Sequence, residues 1–226
     1  MRRQLLPCAN GAKCLPTRFS RHAPAFRTTP IPMKTIGAIL LAAGASRRFG
    51  DDNKLLASVG GRALVRRVAE AVVESGAGDV VVVTGHERDA VEAALADLTV
   101  RFVHNEDWAA GMGRSIARGI RALRPDTSAA FVVPGDMPFL TSTLLQALAG
   151  RYADTDDAPI VVPVTGKGAQ RNPVLWPRRH FEALAALDGP QGGKPLLESH
   201  WDEALRVAVS DESVFADIDT KADLSE

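Results

Sequence analysis

Cysteine is scarce in this chain of 226 residues, which has only Cys8 and Cys14, both near the amino terminus. The rest of the chain therefore forms neither a disulfide nor a thiolate metal site, as expected in a reducing cytoplasm. Long hydrophobic runs are also missing: apolar runs such as residues 36–43 and 80–83 fall far short of the roughly 20 residues that cross a bilayer. We therefore expect a soluble, cytoplasmic protein without a membrane partner.

Acidic residues are absent from the first 50 positions. The 27 Lys and Arg residues formally cancel the 27 Asp and Glu residues. Residues 1–35, however, hold seven of the basic residues and no acid, which leaves 20 basic against 27 acidic residues in the other 191. This body has a net charge of −7. An acidic body lacks the positive surface that nucleic-acid binding requires, so we expect no nucleic-acid partner.

Residues 1–33 form a basic, proline-containing segment with little periodicity, and we expect them to be disordered. Three interpretations are open: translation from an upstream start codon, with the true start at Met33; an Arg-rich transit peptide; or a native flexible arm. The first is preferred because Met33 stands just before the first predicted strand. Residues 34–226 are long enough for one domain.

From residue 35 onward, short apolar runs alternate with amphipathic stretches, which is typical of βα units around a parallel sheet. Continuous apolar runs predict buried strands at 36–42, 80–84, 100–103, 130–133 and 160–164. Apolar residues at helical spacing predict helices around Val68 and Ile116. Further on, the pattern predicts helices at 181–187, 196–201 and 219–224 and a strand at 205–209. The predicted fold is a three-layer α/β/α sandwich with a mostly parallel sheet.

The loop after the first predicted strand is the strongest candidate for a binding site, because ligands of open parallel sheets bind beyond the carboxyl ends of the strands. It reads LAAGASRRFG over residues 41–50, and Lys54 follows. Small residues followed by cations suit a polyphosphate. The loop lacks G-K-[ST] and G-x-G-x-x-G, which disfavours P-loop hydrolases and dinucleotide-dependent dehydrogenases. The alternative is a tight turn with solvated arginines.

Asp136 ends another predicted strand, in the segment VVPGDMP, and is well placed to hold a divalent cation. Mg²⁺ takes one or two protein carboxylates together with substrate phosphates. Asp219 offers the second carboxylate, although an Asp at that place is also an ordinary helix N-cap.

A third loop, residues 105–115, follows a strand and opens a helix. Asn105 suits a base edge or a ribose, and Gly111 leaves room for a flat ring. Trp108 and Met112 are more often packing residues than ligand contacts. The five histidines are scattered without ligand spacing, so neither a zinc site nor a Ser-His-Asp triad is supported.

Together, these segments resemble the molybdenum cofactor nucleotidyltransferase family, nearest its cytidylyltransferase branch. The segments that carry the resemblance are LAAGASRRFG with Lys54, NEDWAAGMGRSI, PGDMP, RNPVLW and DIDTKADL, in this order over residues 36–224. The resemblance implies a Rossmann-like nucleotidyltransferase domain over residues 34–226. It also implies transfer of a nucleoside monophosphate from a nucleoside triphosphate to the phosphate of molybdopterin, with Mg²⁺ and with release of pyrophosphate. A recipient molybdoenzyme would be a further partner.

The resemblance also implies roles for particular residues. Arg48, Lys54 and Asp136 would be catalytic, and Asp136 and Asp219 would hold the metal. The nucleotide would be held by the first loop, its two cations and the third loop: Leu41, Ala42, Ala43, Gly44, Arg48, Lys54, Asn105, Gly111 and Ser115. Arg171, Asn172 and Pro173 would face the pterin. Ala43 points to CTP, since the guanylyl branch usually reads L-A-G-G where this chain reads L-A-A-G.

The chain departs from the family over residues 189–194, which read GPQGGK. The family usually has an acid after the first glycine, and an Arg where this chain has Lys194. Lys keeps the charge but loses the bidentate fork of Arg. Two alternatives therefore stay open: a guanylyl- or sugar-phosphate nucleotidyltransferase, and a non-catalytic protein that binds a nucleotide or cofactor.

Overall fold

The strand predicted at the start of the domain is confirmed, and the rest of the sheet is built around it. The computed structural model describes residues 35–46, 49–50, 52–218, 220 and 223. The strands in this part of the chain are β1 (Ile36–Ala42), β2 (Ser58–Val59), β3 (Arg62–Ala63), β4 (Asp79–Thr84), β5 (Arg101–His104), β6 (Ala129–Pro134), β7 (Val161–Val164), β8 (Val174–Pro177) and β9 (Leu205–Ala208). The predicted tail, residues 1–33, and most of the predicted helix at 219–224 lie outside the described residues.

The helices are α1 (Leu64–Glu74), α2 (Arg88–Ala94), α3 (Met112–Ala122), α4 (Ser142–Ala153), α5 (Phe181–Ala185) and α6 (Lys194–Ser199). Short 3₁₀ turns cover Lys54–Leu56, Trp108–Ala110, Arg178–His180, Trp201–Glu203 and Glu212–Phe215. In the described part of the chain, no helix combines the length and the apolar character needed to span a membrane.

The main sheet has seven strands in the order β5-β4-β1-β6-β8-β7-β9. Neighbouring strands pair in parallel except where β8 runs antiparallel to both β6 and β7. The strands β2 and β3 form a separate antiparallel hairpin. The predicted mostly parallel sheet is therefore confirmed, while the antiparallel β8 was not predicted.

Alternation along β1 produces the three layers. Ala38 and Leu40 belong to one buried cluster with apolar residues of α1, α2 and α4. Ile39 belongs to a second cluster with residues of α3, α5 and α6. Because successive side chains of a strand point to opposite faces, each face of the sheet is covered by its own set of helices. This is the predicted α/β/α sandwich.

The parallel register places several strand ends at one edge of the sheet. Leu41 pairs with Val83 of β4 on one side and with Pro134 of β6 on the other. The loops that leave β1, β4 and β6 therefore emerge side by side. In open α/β sheets this edge is where ligands bind.

Candidate active site

A cavity of about 390 Å³ opens at this carboxyl edge. Its volume falls in the range of small-molecule sites. Its walls come from the ends of β1 and β6, the turn that begins at Lys54, the start of α3 and the segment before α6. The lining residues are Leu41, Ala43, Gly44, Ser46, Lys54, Leu55, Trp108, Gly111, Met112, Ser115, Pro134, Gly135, Asp136 and Pro190.

The first loop lines the cavity with small residues, as the sequence predicts. Leu41, Ala43 and Gly44 are lining residues, whereas Ala42 is fully buried in β1. Ser46 has a φ of +52° and its carbonyl accepts a hydrogen bond of 2.7 Å from the amide of Phe49. The Ser46 hydroxyl has no hydrogen-bond partner among the described residues. The loop therefore lines the cavity with small residues and their backbone groups.

Lys54 is held by a short capped turn. The Asn53 side chain accepts a hydrogen bond of 3.0 Å from the Leu55 amide and so caps the turn at its start. Leu55 is almost fully buried and anchors the turn in the core. Lys54 Nζ donates to Asp136 Oδ2 at 2.7 Å. The two side chains are 14% and 25% exposed, so this ion pair is largely removed from solvent.

Asp136 is positioned by the backbone that follows β6. The Gly135 amide donates to the Leu41 carbonyl at 3.0 Å. A Cβ at Gly135 would lie 2.6 Å from that carbonyl oxygen, so only glycine permits this approach. The Asp136 carbonyl accepts a hydrogen bond of 3.2 Å from the Ile218 amide. The chain next to Asp219 therefore runs beside Asp136, although Asp219 itself lies outside the described residues.

The third loop brings Ser115 and Trp108 to the cavity, but not the side chain of Asn105. Asn105 is 1% exposed, donates from Nδ2 to Ser115 Oγ at 3.0 Å and accepts from the Asp107 amide at 3.2 Å. It therefore holds Ser115 in place. The ring of Trp108 lies 5.1 Å from that of His86, centroid to centroid.

Residues 189–194, the segment in which the chain departs from the family pattern, form the cavity wall beside α3. The Gly113 amide donates to the Gly189 carbonyl at 2.9 Å. Gly111 has a φ of +131°, and a Cβ there would lie 2.5 Å from the Gly189 backbone. Pro190, at the position where the resemblance predicts an acid, is a lining residue. The side chain that this segment contributes to the cavity lining is therefore apolar.

Arg114 joins this wall to the third loop. Its guanidinium donates to Asp188 at 2.7 Å and lies 3.1 Å from Asp107. The hydrogen bond from Arg114 is the main reason that the pKa of Asp188 is lowered, and the same pair raises the pKa of Arg114. All three side chains are substantially exposed, so each ion pair contributes little stability by itself.

The side chains of the cavity suit a divalent cation that is also coordinated by the phosphates of a substrate. Lys54 and Asp136 are the ionisable side chains among the described lining residues. No group of three or more His, Cys, Asp or Glu side chains lies together within the described residues, so they form no all-protein cage. One or two carboxylates completed by substrate phosphates is the usual arrangement for Mg²⁺. Asp136 fits that arrangement.

Other residues that the sequence singles out lie elsewhere. Arg48 is outside the described residues. Arg171 and Asn172 are exposed, Pro173 is buried, and none of the three lines the cavity. The Arg171 amide donates to the Pro163 carbonyl at 2.9 Å.

Sequence reasoning did not select Ser46, Pro190 or Met112 as site residues, although all three line the cavity. The sequence does contain an indication that Ser46 belongs to the site, since it stands inside the small-residue loop directly before the two arginines. Pro190 and Met112 had none, because their place depends on the packing of α3 against a distant segment.

Comparison with known proteins gives a family and a fold. The model of the family described as MobA-like NTP transferase domain matches residues 38–204. The nicotine blue oxidoreductase of Paenarthrobacter nicotinovorans is 32% identical over 200 residues, which cover 85% of this chain and 95% of that protein. The bifunctional protein GlmU of Syntrophomonas wolfei is 33% identical over 130 residues. These cover 57% of this chain, which spans only 28% of GlmU.

Solved structures confirm the predicted Rossmann-like nucleotidyltransferase fold. A nucleotidyl transferase from Methanothermobacter thermautotroptrophicus superposes with a TM-score of 0.70 at 24% identity, covering 83% of this chain and 93% of that one.

Proposed function

We propose that this chain, which belongs to the MobA-like NTP transferase family, transfers CMP from CTP to the phosphate of molybdopterin and releases pyrophosphate. The observation that carries the proposal is the cavity in which the small-residue loop after β1 meets the Lys54–Asp136 ion pair. Small residues allow close approach of a nucleotide, and the ion pair supplies a cation for phosphates and a carboxylate for a metal.

The chemistry asks little of the protein beyond positioning and charge. The phosphate of the acceptor is already anionic at neutral pH and attacks the α-phosphorus of CTP without a general base. A bond from acceptor oxygen to phosphorus forms, the bond to the β-phosphate oxygen breaks, and pyrophosphate leaves with that electron pair. Aligning the groups and neutralising charge are then the main tasks of the site.

The proposed roles combine the positions of the described residues with the resemblance to the family. Backbone groups of Leu41, Ala43 and Gly44 hold the nucleotide, and Lys54, with Arg48, binds the triphosphate. Ser115 and Gly111 border the base and ribose, and Asn105 acts by holding Ser115. Arg171, Asn172 and Pro173 are proposed to meet the pterin from outside the cavity.

Asp136, with Asp219, would hold Mg²⁺, which supplies electrostatic stabilisation of the charge that develops on the phosphate oxygens. Ala43 supports CTP over GTP by the resemblance of L-A-A-G to the cytidylyl branch. A recipient molybdoenzyme remains the proposed final partner.

The test is a pyrophosphate-release screen of ATP, CTP, GTP and UTP, each with and without molybdopterin and Mg²⁺. We expect release only with CTP, molybdopterin and the metal together. Release with GTP, or release from any of the four nucleotides when a sugar phosphate is supplied in place of molybdopterin, would replace the proposal by one of the other transferases of this fold. CTP binding without release in any combination would support a non-catalytic protein that binds nucleotides.

A second candidate is an oxidoreductase, favoured by the 32% identity to the nicotine blue oxidoreductase over most of both chains. The reaction would pass a hydride from a reduced nicotinamide nucleotide, as donor, to an organic acceptor in the cavity. Against it, the sequence has no G-x-G-x-x-G. Oxidation of NADH or NADPH that depends on an added organic acceptor, without pyrophosphate release in the screen, would establish this candidate instead.

A further inference from the structure

We propose that Lys54 and a divalent cation exclude each other at Asp136, so that Asp136 takes the cation only when a triphosphate draws the Lys54 ammonium away. This inference rests on the proposed function, because it concerns the nucleotide and the metal of the same site. It makes Lys54 the residue that couples metal binding to nucleotide binding.

The first step is that the Lys54 ammonium and a metal ion on Asp136 would lie close enough to repel each other strongly. Lys54 Nζ lies 2.7 Å from Asp136 Oδ2. A magnesium ion on the same carboxylate would lie about 2.1 Å from an oxygen. The ammonium and the metal would then be neighbours within a few ångströms, in a place where the two side chains are only 14% and 25% exposed. Because partial burial weakens screening, the repulsion between the two cations is strong.

The second step is that the exchange needs no backbone movement. The turn under Lys54 is fixed by the Asn53 cap and by buried Leu55. The Lys54 ammonium, by contrast, ends a flexible four-carbon stem. Gly44 and Ser46 of the first loop line the same cavity as Lys54. A triphosphate seated on that loop would thus lie within reach of the ammonium.

The coupling between metal and nucleotide is reciprocal: each ligand raises the affinity of the site for the other by the same factor. Lys54 weakens metal binding at Asp136, and Asp136 weakens nucleotide binding at Lys54 when no metal is present. A hydrogen-bonded ion pair of this kind is worth about a factor of ten or more in an equilibrium constant. Two separate measurements follow, neither of which depends on turnover.

The first measurement is a Mn²⁺ titration without nucleotide, followed by the electron paramagnetic resonance signal of the free ion. We expect Lys54→Met to bind Mn²⁺ about tenfold more tightly than the wild type, and Lys54→Met with Asp136→Asn to lose this gain. Lys194→Met is the matched control, since Lys194 is exposed and lies 3.8 Å from Glu198. Equal affinity of the wild type and Lys54→Met would overturn the inference, and so would an equal gain in the control.

The second measurement is CTP binding in EDTA by calorimetry. Asp136→Asn should bind metal-free CTP about tenfold more tightly than the wild type, because Lys54 no longer has to leave the Asp136 carboxylate. In the Lys54→Met background the same substitution should give a much smaller gain, since a double-mutant cycle isolates the coupling of the pair. The same gain in both backgrounds, or none in either, would contradict the proposed competition.

The two proposals fail in different ways. If the wild type releases pyrophosphate from CTP but Lys54→Met binds Mn²⁺ no better, the exclusion at Asp136 is wrong and the proposed function stands. If the wild type releases no pyrophosphate but both titrations show the expected gains, the coupling stands and the proposed reaction is wrong.

Discussion

Lys54 Nζ lies 2.7 Å from Asp136 Oδ2, and this ion pair links the turn that follows the first loop to the end of β6. The two residues are 82 positions apart in the chain. They meet because β1 and β6 are adjacent parallel strands whose carboxyl ends lie at one edge. A cation for phosphates and an oxygen ligand for a metal are thereby brought to one point of the cavity.

Replacing Asp136 by Asn should abolish pyrophosphate release from CTP in the presence of molybdopterin and Mg²⁺. The substitution keeps the shape of the side chain but removes the charge that holds the metal and orients Lys54. We expect a loss of about a hundredfold or more in kcat, as for other groups that stabilise transition-state charge.

Asp126→Asn is the control, because Asp126 is an exposed residue that lies 3.9 Å from Arg124 in the loop before β6. It should retain full turnover. Near-wild-type turnover of Asp136→Asn, with a normal thermal transition, would show that Asp136 does not hold the metal.

Replacing Gly111 by Ala should damage the wall of the cavity. The new Cβ would lie 2.5 Å from the Gly189 backbone, and the φ of +131° is strained for any residue with a side chain. We expect a loss of about 1–3 kcal/mol in the free energy of unfolding and weaker CTP binding.

Gly150→Ala in α4 is the matched control, since nothing lies within 4 Å of its Cβ. Alanine is the better helix former, so that variant should gain about 0.5–1 kcal/mol. Denaturant unfolding measures both changes, and a Gly111→Ala variant as stable as Gly150→Ala would contradict the close approach.

Replacing Arg114 by Gln should loosen the segment that carries Pro190. Because its ion pairs with Asp188 and Asp107 are exposed, the free energy of unfolding should change by less than about 1 kcal/mol. The KM for CTP should nevertheless rise severalfold with little change in kcat, because this wall lies against Gly111, which is proposed to border the base and ribose, and becomes less ordered. Arg118→Gln, an exposed neighbour on the same helix, should leave both constants unchanged. Equal KM values for the two variants would remove Arg114 from the positioning of this wall.

How much of the fold the sequence predicts depends on where the stabilising contacts are. The first strand is predicted at its observed limits, 36–42, because its apolar run is uninterrupted. Strand β4 begins one residue earlier than the predicted 80–84, at Asp79, whose buried carboxylate is paired with Arg101 and accepts a hydrogen bond from the Arg124 amide. Sequence patterns assign a charged residue such as Asp79 to a loop, because the distant partners that allow its burial are not visible in the local sequence.

Among the elements that the sequence pattern did not predict, α4 and β8 were missed for different reasons. Helix α4 was readable, because the side chain of Thr141 caps it and Leu145, Leu148 and Tyr152 follow at helical spacing. Strand β8 was not, since its four buried residues show no periodicity and its antiparallel direction depends on the path of the chain after β7.

In the candidate site, too, some features follow from the local sequence and others depend on contacts between distant segments. The placement of Leu41, Lys54 and Asp136 at one edge follows from short loops after adjacent parallel strands. The role of Asn105 did not follow, because its amide bonds to Ser115 only once α3 has packed beside β5. Pro190 reaches the cavity through contacts of the segment at Asp188 with α3, which no local pattern encodes.

His180 should make the stability of the protein depend on pH below neutrality. The ring is 6% exposed and lies 4.7 Å from that of His200 and 5.9 Å from that of Trp176, centroid to centroid. Burial lowers the pKa of His180 below its ordinary value of 6.5, and the positive charges of Arg179 and His200 lower it further, while Glu203 opposes them. The folded protein therefore favours the neutral ring.

The sign of the effect follows from linkage. Below about pH 6.5 the unfolded chain takes up a proton at His180 more readily than the folded chain does, so the free energy of unfolding falls as the pH decreases. His180→Phe, which keeps an aromatic ring, and His180→Gln, which keeps a polar group, should both lose less stability than the wild type between about pH 7 and pH 5. Thermal unfolding across this range measures the slopes. If all three proteins lose stability in parallel, protonation of His180 is not linked to folding, and the loss belongs to other groups.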